Sequence, residues 1–355
     1  MRDGARRKTP GVTILDVARR AGVSRSTVSR VLTEHPNVSR RARDAVEQAV
    51  QVTGFHPNGV ARSLVSGRST LVAIVVPSIS HDFYADLARG VEKALADDFA
   101  LVVMTTDDDP ERERRALAHL QESRVAGVIV STVHVDSLDH FGRDTPVVFV
   151  NRGPRQAKHS VVVSDNFRGG YLATNLLLQS GHERIGHVSL ALDLPTSRRR
   201  HDGYLQALGE AGITPLPEWS FQAGLRIPDG ISLGERLLAE RTGVTALFTD
   251  SDTQAVGIIE ALWRQGLRVP RDLSLVGYDD GPLAALSPFA LTSVHTPREL
   301  MGELAGRLLK QGIQVGRPLE AQEIVLPVEL ITRASVGKPR RQRKLGSTTT
   351  SDDVE

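Results

Sequence analysis

The 355-residue chain contains no cysteine. Disulfides and thiolate chemistry are excluded together, an absence that fits a reducing cytosol and also a cysteine-free secreted protein. No uncharged apolar run reaches the roughly 18 residues that a membrane-spanning helix needs. The opening M-R-D-G-A-R-R-K-T-P carries basic residues with no apolar stretch of a secretory signal behind it. A soluble, cytoplasmic protein is expected. The spacings of common active sites are missing as well: no H-x-x-x-H pair on a helix, no G-x-S-x-G elbow, no P-loop, and no G-x-G-x-x-G after the first strand. His134 and His140 fall in a loop region, and His182 and His187 flank a turn and a strand. The run Asp107–Asp109 reads as a strand-to-helix loop whose last carboxylate caps a helix begun by Pro110, in preference to a metal cluster. No enzyme, cofactor or metal is expected.

Charge is unevenly placed. The net charge of +2 divides into +8 over residues 1–68 (13 Lys and Arg against 5 Asp and Glu), −8 over 69–337 (26 against 34) and +2 over the tail (5 against 3). Only the first segment suits a polyanion, and phosphate contacts make such binding steeply salt-dependent. Within it lies T-I-L-D-V-A-R-R-A-G-V-S-R-S-T-V-S-R-V (Thr13–Val31). Thr13 with Asp16 has capping-box spacing; Ile14, Val17, Ala18 and Ala21 form one apolar stripe. Gly22 allows a tight reversal, and Ser24 caps a second helix. Val28 and Val31 turn inward there, leaving Arg25, Ser26, Ser29 and Arg30 on a face that suits the major groove, where Arg can pair with a guanine edge. This is a helix-turn-helix with its recognition helix at Arg25–Arg30.

From Leu71 the pattern changes to repeated β-α units. Strand runs at 71–76, 100–105, 127–130, 146–150, 161–164, 185–190, 246–249 and 273–278 alternate with helical segments near 83–96, 110–121, 168–180, 198–211, 231–241 and 253–265. The expected class is α/β, doubly wound with parallel sheets covered on both faces. The strand count exceeds one ordinary sheet, so two subdomains are expected. Residues beyond the carboxyl ends of such strands form the ligand site: Phe83 and Tyr84, Asp165 and Asn166, Arg200, Ser251 and Asp252, and Asp279. Asp252 and Asn166 can equally cap the helices that follow them, and Asp280 reads as a turn residue. Carboxylates, an arginine and a hydroxyl in one cleft suit a polyhydroxylated ligand.

V-T-I-L-D-V-A-R-R-A-G-V-S-R-S-T-V-S-R-V-L resembles the DNA-binding start of the lactose-repressor (LacI/GalR) family of bacterial transcription regulators. Asn37–Val46 resembles its third helix and Gly54–Leu64 its hinge. Val76–Tyr84, Gly181–His187, Arg200–Tyr204, Ser251–Gly257 and Leu275–Asp280 resemble landmarks of its effector domain. The likeness covers about residues 12 to 337. It implies a basic arm (1–11), a helix-turn-helix head (12–68) with its hinge at 57–68, a two-lobed periplasmic-binding-protein-like domain (69–337) for effector binding and dimerisation, and a disordered tail (338–355). The lobes would comprise about 70–165 with 291–323, and 166–290 with 324–337, the chain crossing near Asp165, Ala290 and Glu323.

Several expectations follow from the resemblance. Arg25 and Ser26 read bases, and Ser29 and Arg30 contact base or phosphate. Thr13, Ser24, Thr27, Asn37 and Ser39 fix the backbone. Asn58, Ala61 and Leu64 belong to a hinge helix whose leucine wedges into the minor groove; Gly59 departs from the family by lowering helix propensity. Phe83, Tyr84, Asp165, Arg200, Ser251 and Asp279 hold the effector. Ser251 stands where several sugar-responsive relatives carry Asn, and Leu225 where relatives often place a stacking aromatic. The tail lacks the leucine heptads of a tetramerising coil, favouring a homodimer on a pseudo-palindromic operator. The chain is thus expected to be a sequence-specific repressor whose operator affinity is set by a small polar effector, a sugar or related metabolite, bound between the lobes. The alternative is a small-molecule binding protein with no regulatory role. A sugar-modifying enzyme lacks its catalytic constellation, and an architectural DNA protein would leave the cleft unexplained.

Overall fold

The first elements among the described residues are three helices, each carrying an apolar stripe. α1 (Ile14–Ala21) and α3 (Arg40–Thr53) each end on a left-handed glycine, Gly22 (φ 66°) and Gly54 (φ 63°), while α2 (Arg25–Leu32) lies between them. Val17, Ala18, Val28, Val31, Val46 and Ala49 meet in one core. The computed structural model describes residues 12–32, 37–55, 69–96, 98–132, 145–153, 159–240, 242–286, 288–317 and 319–339. It divides into two units, Met1–Thr70 and Leu71–Glu355.

In chain order the second unit runs β1 (Leu71–Val76), α4 (Asp82–Leu95), β2 (Ala100–Thr105), α5 (Pro110–Glu122), β3 (Gly127–Val130), β4 (Val147–Val150), β5 (Ser160–Ser164) and α6 (Asn166–Gln179). It continues with β6 (Ile185–Ser189), α7 (Pro195–Glu210), β7 (Ser220–Gln222), α8 (Ile227–Glu240), β8 (Ala246–Thr249), α9 (Asp252–Arg264) and β9 (Ser274–Asp279). The short α10 (Pro282–Ala285), β10 (Thr292–His295), α11 (Arg298–Val315), β11 (Glu323–Leu326) and β12 (Glu329–Ile331) complete it.

Two six-stranded sheets result, ordered β11-β5-β4-β3-β1-β2 and β12-β10-β9-β8-β6-β7. The first is parallel throughout. The second is parallel except where β12 runs against β10. The unbroken apolar run of β1 follows from helices on both faces: Val72, Ile74 and Val76 pack with Leu87 and Leu309, while Ala73 and Val75 turn the other way onto Leu117 and Leu120.

The chain leaves the first sheet after Ser164, returns after His295, and passes to the second sheet again between Leu326 and Glu329. The crossings expected near Ala290 and Glu323 are corrected by this topology. Thr292–His295 pairs with β9, placing it in the second lobe, and Glu323–Leu326 pairs with β5 in the first. These strands of four residues, T-S-V-H and E-I-V-L, are too short and polar to be assigned before their pairing is known.

Helices pack in pairs through reciprocal glycines. A Cβ on Gly90 of α4 would lie 2.0 Å from the carbonyl oxygen of Glu299, and one on Gly302 of α11 would lie 2.0 Å from that of Leu87. Gly170 and Gly203 do the same for α6 and α7, against the carbonyls of Arg200 (2.0 Å) and Phe167 (2.1 Å). Gly230 and Gly257 join α8 to α9. Gly302→Ala is therefore expected to force α4 and α11 apart at a cost of about 1–3 kcal/mol. Urea unfolding should show a lower midpoint with an unchanged slope; a midpoint at or above wild type would refute the close approach.

Candidate functional site

In the head, the Thr13 N–H and hydroxyl both donate to Asp16 Oδ2, at 2.9 and 2.7 Å. Ser24 Oγ accepts from the Thr27 N–H at 3.1 Å and shares hydroxyl hydrogen bonds with Ser26 (2.7 Å) and Thr27 (2.9 Å). Ser39 Oγ accepts from the Ala42 N–H at 3.3 Å at the start of α3. With Val28 and Val31 buried, Arg25, Ser26 and Arg30 are exposed, Ser29 is half-buried, and Asn37 is exposed ahead of α3. Such termini fix backbone N–H groups while leaving cations and hydroxyls on the outer face, the arrangement a polyanion requires. Asn58, Ala61 and Leu64 lie outside the described residues, as do the arm and residues 340–355.

In the second unit, each sheet reverses its winding once, between β1 and β3 and between β6 and β8. A crevice forms beyond the strand ends at such a point. Here the two crevices face each other around a chamber of about 30 Å³. His81, Phe83 and Tyr84 come from the segment after β1, and Asn151 and Arg152 from the end of β4. Leu190, Thr196, Ser197 and Arg200 follow β6, Leu225 follows β7, Asp250 follows β8, and Asp279 ends β9. Two wider clefts adjoin it. One, of about 720 Å³, shares Asn151 and Thr196 and is bordered by Ser164 and Asp165; the other, of about 630 Å³, shares Arg152 and Leu190 and is bordered by Asp108 and Gln222.

Arg200 is 7% exposed. Its Nε donates to Asn166 Oδ1 at 2.8 Å, its Nη1 donates to the Asp250 carbonyl, and its guanidinium lies 3.5 Å from the centroid of the Tyr278 ring. Asp250 is fully engaged: His187 Nε2 meets Oδ1 at 3.1 Å, and Oδ2 accepts from the Leu190 N–H (3.0 Å) and the Ser197 hydroxyl (2.5 Å). Burial pushes the Asp250 carboxyl upward, but the His187 hydrogen bond and charge, with Arg200 and Ser197, hold it down to about 2. His187 stacks on Phe248 with ring centroids 4.9 Å apart, and its Nδ1 meets His201 Nδ1 at 3.0 Å. Burial and the neighbouring His187 bring His201 down to about 4.

Several buried polar atoms at the chamber have no hydrogen-bond partner among the described residues: both ring nitrogens of His81, Arg152 Nε, Asn151 Oδ1 and Asp279 Oδ1. Arg152 is only 4% exposed and its Nη1 donates to Asp108 Oδ1 at 2.6 Å. Burial lowers the proton affinity of His81, against the nearby carboxylates of Asp279 and Asp82. Unpartnered buried polar atoms are costly, so a set of them aimed at one space marks it for a ligand or water.

The structure brings Phe83, Tyr84, Arg200 and Asp279 to this chamber. Two other expected residues do not line the chamber. Asp165 caps α6, accepting from the Arg168 N–H at 2.9 Å, and borders the adjoining cleft. Ser251 caps α9, bonding to the Gln254 N–H (3.3 Å) and the Thr253 hydroxyl (2.9 Å), and its neighbour Asp250 borders the chamber instead. Consecutive residues at a strand end point to opposite sides, which decides between them. Asn166 anchors Arg200, and Asp280 joins Arg333 (2.6 Å) and His295 (3.2 Å). His81, Asn151, Arg152 and Asp250 were not anticipated, although N-R directly after the strand run 146–150 satisfies the same strand-end rule.

Asp252 lies close to the end of β9, its carboxylate accepting from the Ser293 hydroxyl and the Gly281 N–H, both at 2.6 Å. Burial pushes it up to about 8; Asp279 and Asp280 add to the rise, while Ser293 and Gly281 oppose it. An unfolded aspartate titrates near about 3.9. Between the two values the folded chain keeps a proton that the unfolded chain has lost, so stability falls as pH rises through this window. Asp252→Asn escapes that loss. Its melting temperature relative to wild type should climb from about pH 5 to about pH 8, and a difference independent of pH would contradict the assignment.

Residues 13–58 match the model of bacterial regulatory proteins, lacI family, and residues 174–336 match the periplasmic binding protein-like domain. The HTH-type transcriptional repressor PurR of Mannheimia succiniciproducens is 33% identical over 331 residues, spanning 92% of this chain and 99% of that protein. PurR of Haemophilus influenzae (strain PittEE) is 34% identical over 336 residues, spanning 91% and 98%. Among solved structures, a lac repressor dimer bound to operator and the anti-inducer ONPF matches with a TM-score of 0.81 at 25% identity, over 92% of this chain and all (100%) of that one. A transcriptional regulator CelR–cellobiose complex matches with 0.70 at 31% identity, over 91% and 99%. With a third of its residues shared along nine-tenths of its length, and both domain models matched in order, the chain belongs to the lacI family and is a DNA-binding transcriptional repressor.

Proposed function

We propose that this repressor takes a neutral, polyhydroxylated effector, a sugar or close relative, between its lobes, where the chamber opens into the two adjoining clefts, and that the effector sets its affinity for a pseudo-palindromic operator read by a homodimer. The observation that carries the effector class is the mixture of unpartnered groups. Arg152 Nε can only donate, Asn151 Oδ1 and Asp279 Oδ1 accept, and a neutral His81 offers one of each. A hydroxyl both donates and accepts, so a polyol satisfies this mixture, whereas an anion meets carboxylates and a purely apolar ligand leaves all of them unsatisfied. Phe83 and Tyr84, set edge to face at 5.1 Å, with Leu190 and Leu225 supply apolar contact for a ring's C–H face. The cellobiose complex of a relative at 31% identity supports the same class.

In the head, Arg25, Ser26, Ser29 and Arg30 are assigned to bases and adjacent phosphates, with Thr13, Ser24, Thr27, Asn37 and Ser39 on the backbone. The family resemblance assigns Ala61 and Leu64 to the minor groove and Asn58 to the DNA-binding hinge. A dimer places two such heads on half-sites related by its two-fold axis. The bacterial cytoplasm, where chromosomal DNA lies, is the compartment this activity needs. A binding protein without a regulatory role would leave the cationic face of α2 unexplained.

Selection of fragmented genomic DNA on the full-length protein, followed by sequencing, is expected to recover one pseudo-palindrome. Thermal-shift measurements with D-ribose, D-glucose, cellobiose, gluconate and adenine then test the effector. A neutral sugar at about 100 times its dissociation constant stabilises the bound form by about 2.7 kcal/mol and should alter operator affinity. Stabilisation by gluconate or adenine alone would overturn the sugar reading; random DNA fragments at every condition would overturn the operator reading. Arg200→Ala is expected to abolish the sugar's effect while leaving operator affinity intact, and an unchanged response would remove Arg200 from the site.

A further inference from the structure

Asp279 sits on an unusual corner. It and Asp280 both have positive φ, 93° and 52°, a left-handed conformation that side chains other than glycine's adopt at a cost. Such a pair persists only when its surroundings hold it. Four ties come from the second lobe: Arg333 to Asp280 Oδ1 (2.6 Å), His295 to Asp280 Oδ2 (3.2 Å), the Asp280 N–H to Ser293 Oγ (3.1 Å) and the Gly281 N–H to Asp252 Oδ2 (2.6 Å).

A fifth tie comes from the other lobe. Arg298 opens α11 two residues after the chain has crossed at His295–Thr296, and it is 9% exposed. Its Nη2 reaches the Asp280 carbonyl at 3.4 Å and the Asp86 carboxylate at 3.1 Å. Its Nη1 is buried with no partner among the described residues and lies 3.6 Å from where a Cβ on Gly281 would stand. Asp86 belongs to α4, whose first turn supplies Phe83 and Tyr84 to the chamber, and α4 is locked to α11 by Gly90 and Gly302. One guanidinium therefore touches the corner that aims Asp279 and the helix that aims Phe83 and Tyr84.

We infer that Arg298 is a positioning residue that couples effector capture at Asp279 to the placement of α4 in the first lobe. A ligand hydroxyl that draws on Asp279 loads a strained corner, and the corner's movement is passed through the Asp280 carbonyl and Arg298 to Asp86. The weak reach of 3.4 Å and the unused Nη1 leave the guanidinium able to strengthen its hold on the corner without releasing Asp86. This inference rests on the reading of the chamber as the effector site, and its first test needs no effector.

Because the chain has no cysteine, Glu122→Cys and Glu218→Cys in full-length protein give one spin label on each lobe, both at exposed positions. Pulsed-dipolar distance distributions are then compared for wild type, Arg298→Met, Asp86→Asn and the double variant without ligand. The expected result is a broadened interlobe distribution in both single variants and no further broadening in the double variant, with Arg298→Lys falling between. An unchanged distribution, or independent effects that add, overturns the tie.

The second readout uses whichever of D-ribose, D-glucose or cellobiose shifts wild-type melting. Arg298→Met should keep that thermal shift while the sugar's effect on operator affinity, about 5- to 150-fold in such systems, collapses toward one. An effect of wild-type size in Arg298→Met overturns the coupling. If none of the three sugars shifts wild type, the sugar reading fails while the distance measurements still decide the tie between the lobes.

Discussion

Burying the Arg200 guanidinium constrains much of the second lobe. A cation removed from water is tolerable only with its charge faced and its N–H groups satisfied. Asn166 at the start of α6, the Asp250 carbonyl at the end of β8 and the face of Tyr278 on β9 supply this from three elements. Asp250 in turn needs donors, which come from His187 on β6, the Leu190 amide and Ser197 on α7. His187 can serve because Phe248 and Tyr204 stack beside it, at 4.9 and 5.5 Å. The glycine contact between α6 and α7 falls at Arg200 itself, so the helix that carries the arginine and the helix that anchors it approach most closely where the charge is buried.

The two lobes share one winding scheme. Numbered within each lobe, the first five strands take the order 2-1-3-4-5, and a later segment adds the sixth strand at the same edge, parallel in one lobe and antiparallel in the other. Two reversals of winding facing each other give a chamber to which each lobe contributes polar groups of both kinds: Asn151, Arg152 and His81 from one, Asp279, Ser197 and Arg200 from the other. The hydrogen-bonding shell is thus one that neither lobe holds alone.

The parts legible in the sequence were those decided by near neighbours. The stripe Ile14, Val17, Ala18, Ala21, the reversal at Gly22 and the caps at Ser24 and Asp109 need only a few residues of context. Phe83, Tyr84, Arg200 and Asp279, which line the chamber, are legible as candidates because they lie in segments that follow apolar strand runs. Asp250 is not legible beside Ser251, because a strand end does not reveal which of two adjacent side chains turns into the crevice. α11 and β10 to β12 went unassigned, although Met301, Ala305, Leu308 and Leu309 mark a buried helical stripe. The three glycine pairs were invisible for a different reason: Gly90 and Gly302 are meaningful only together, and 212 positions separate them.

The order of strands also bears on how the chain is made. The first sheet receives its edge strand from residues 323–326 and the second from 329–331, both near the end of the described chain. During synthesis, therefore, neither lobe is finished when most of its residues have left the ribosome. β5 and β10 wait with open edges until these last two short strands emerge within nine residues of each other. Nascent-chain folding usually proceeds domain by domain from the N-terminus; here the two lobes must close almost together, and the head, whose core is built from residues 14–55, has no such wait.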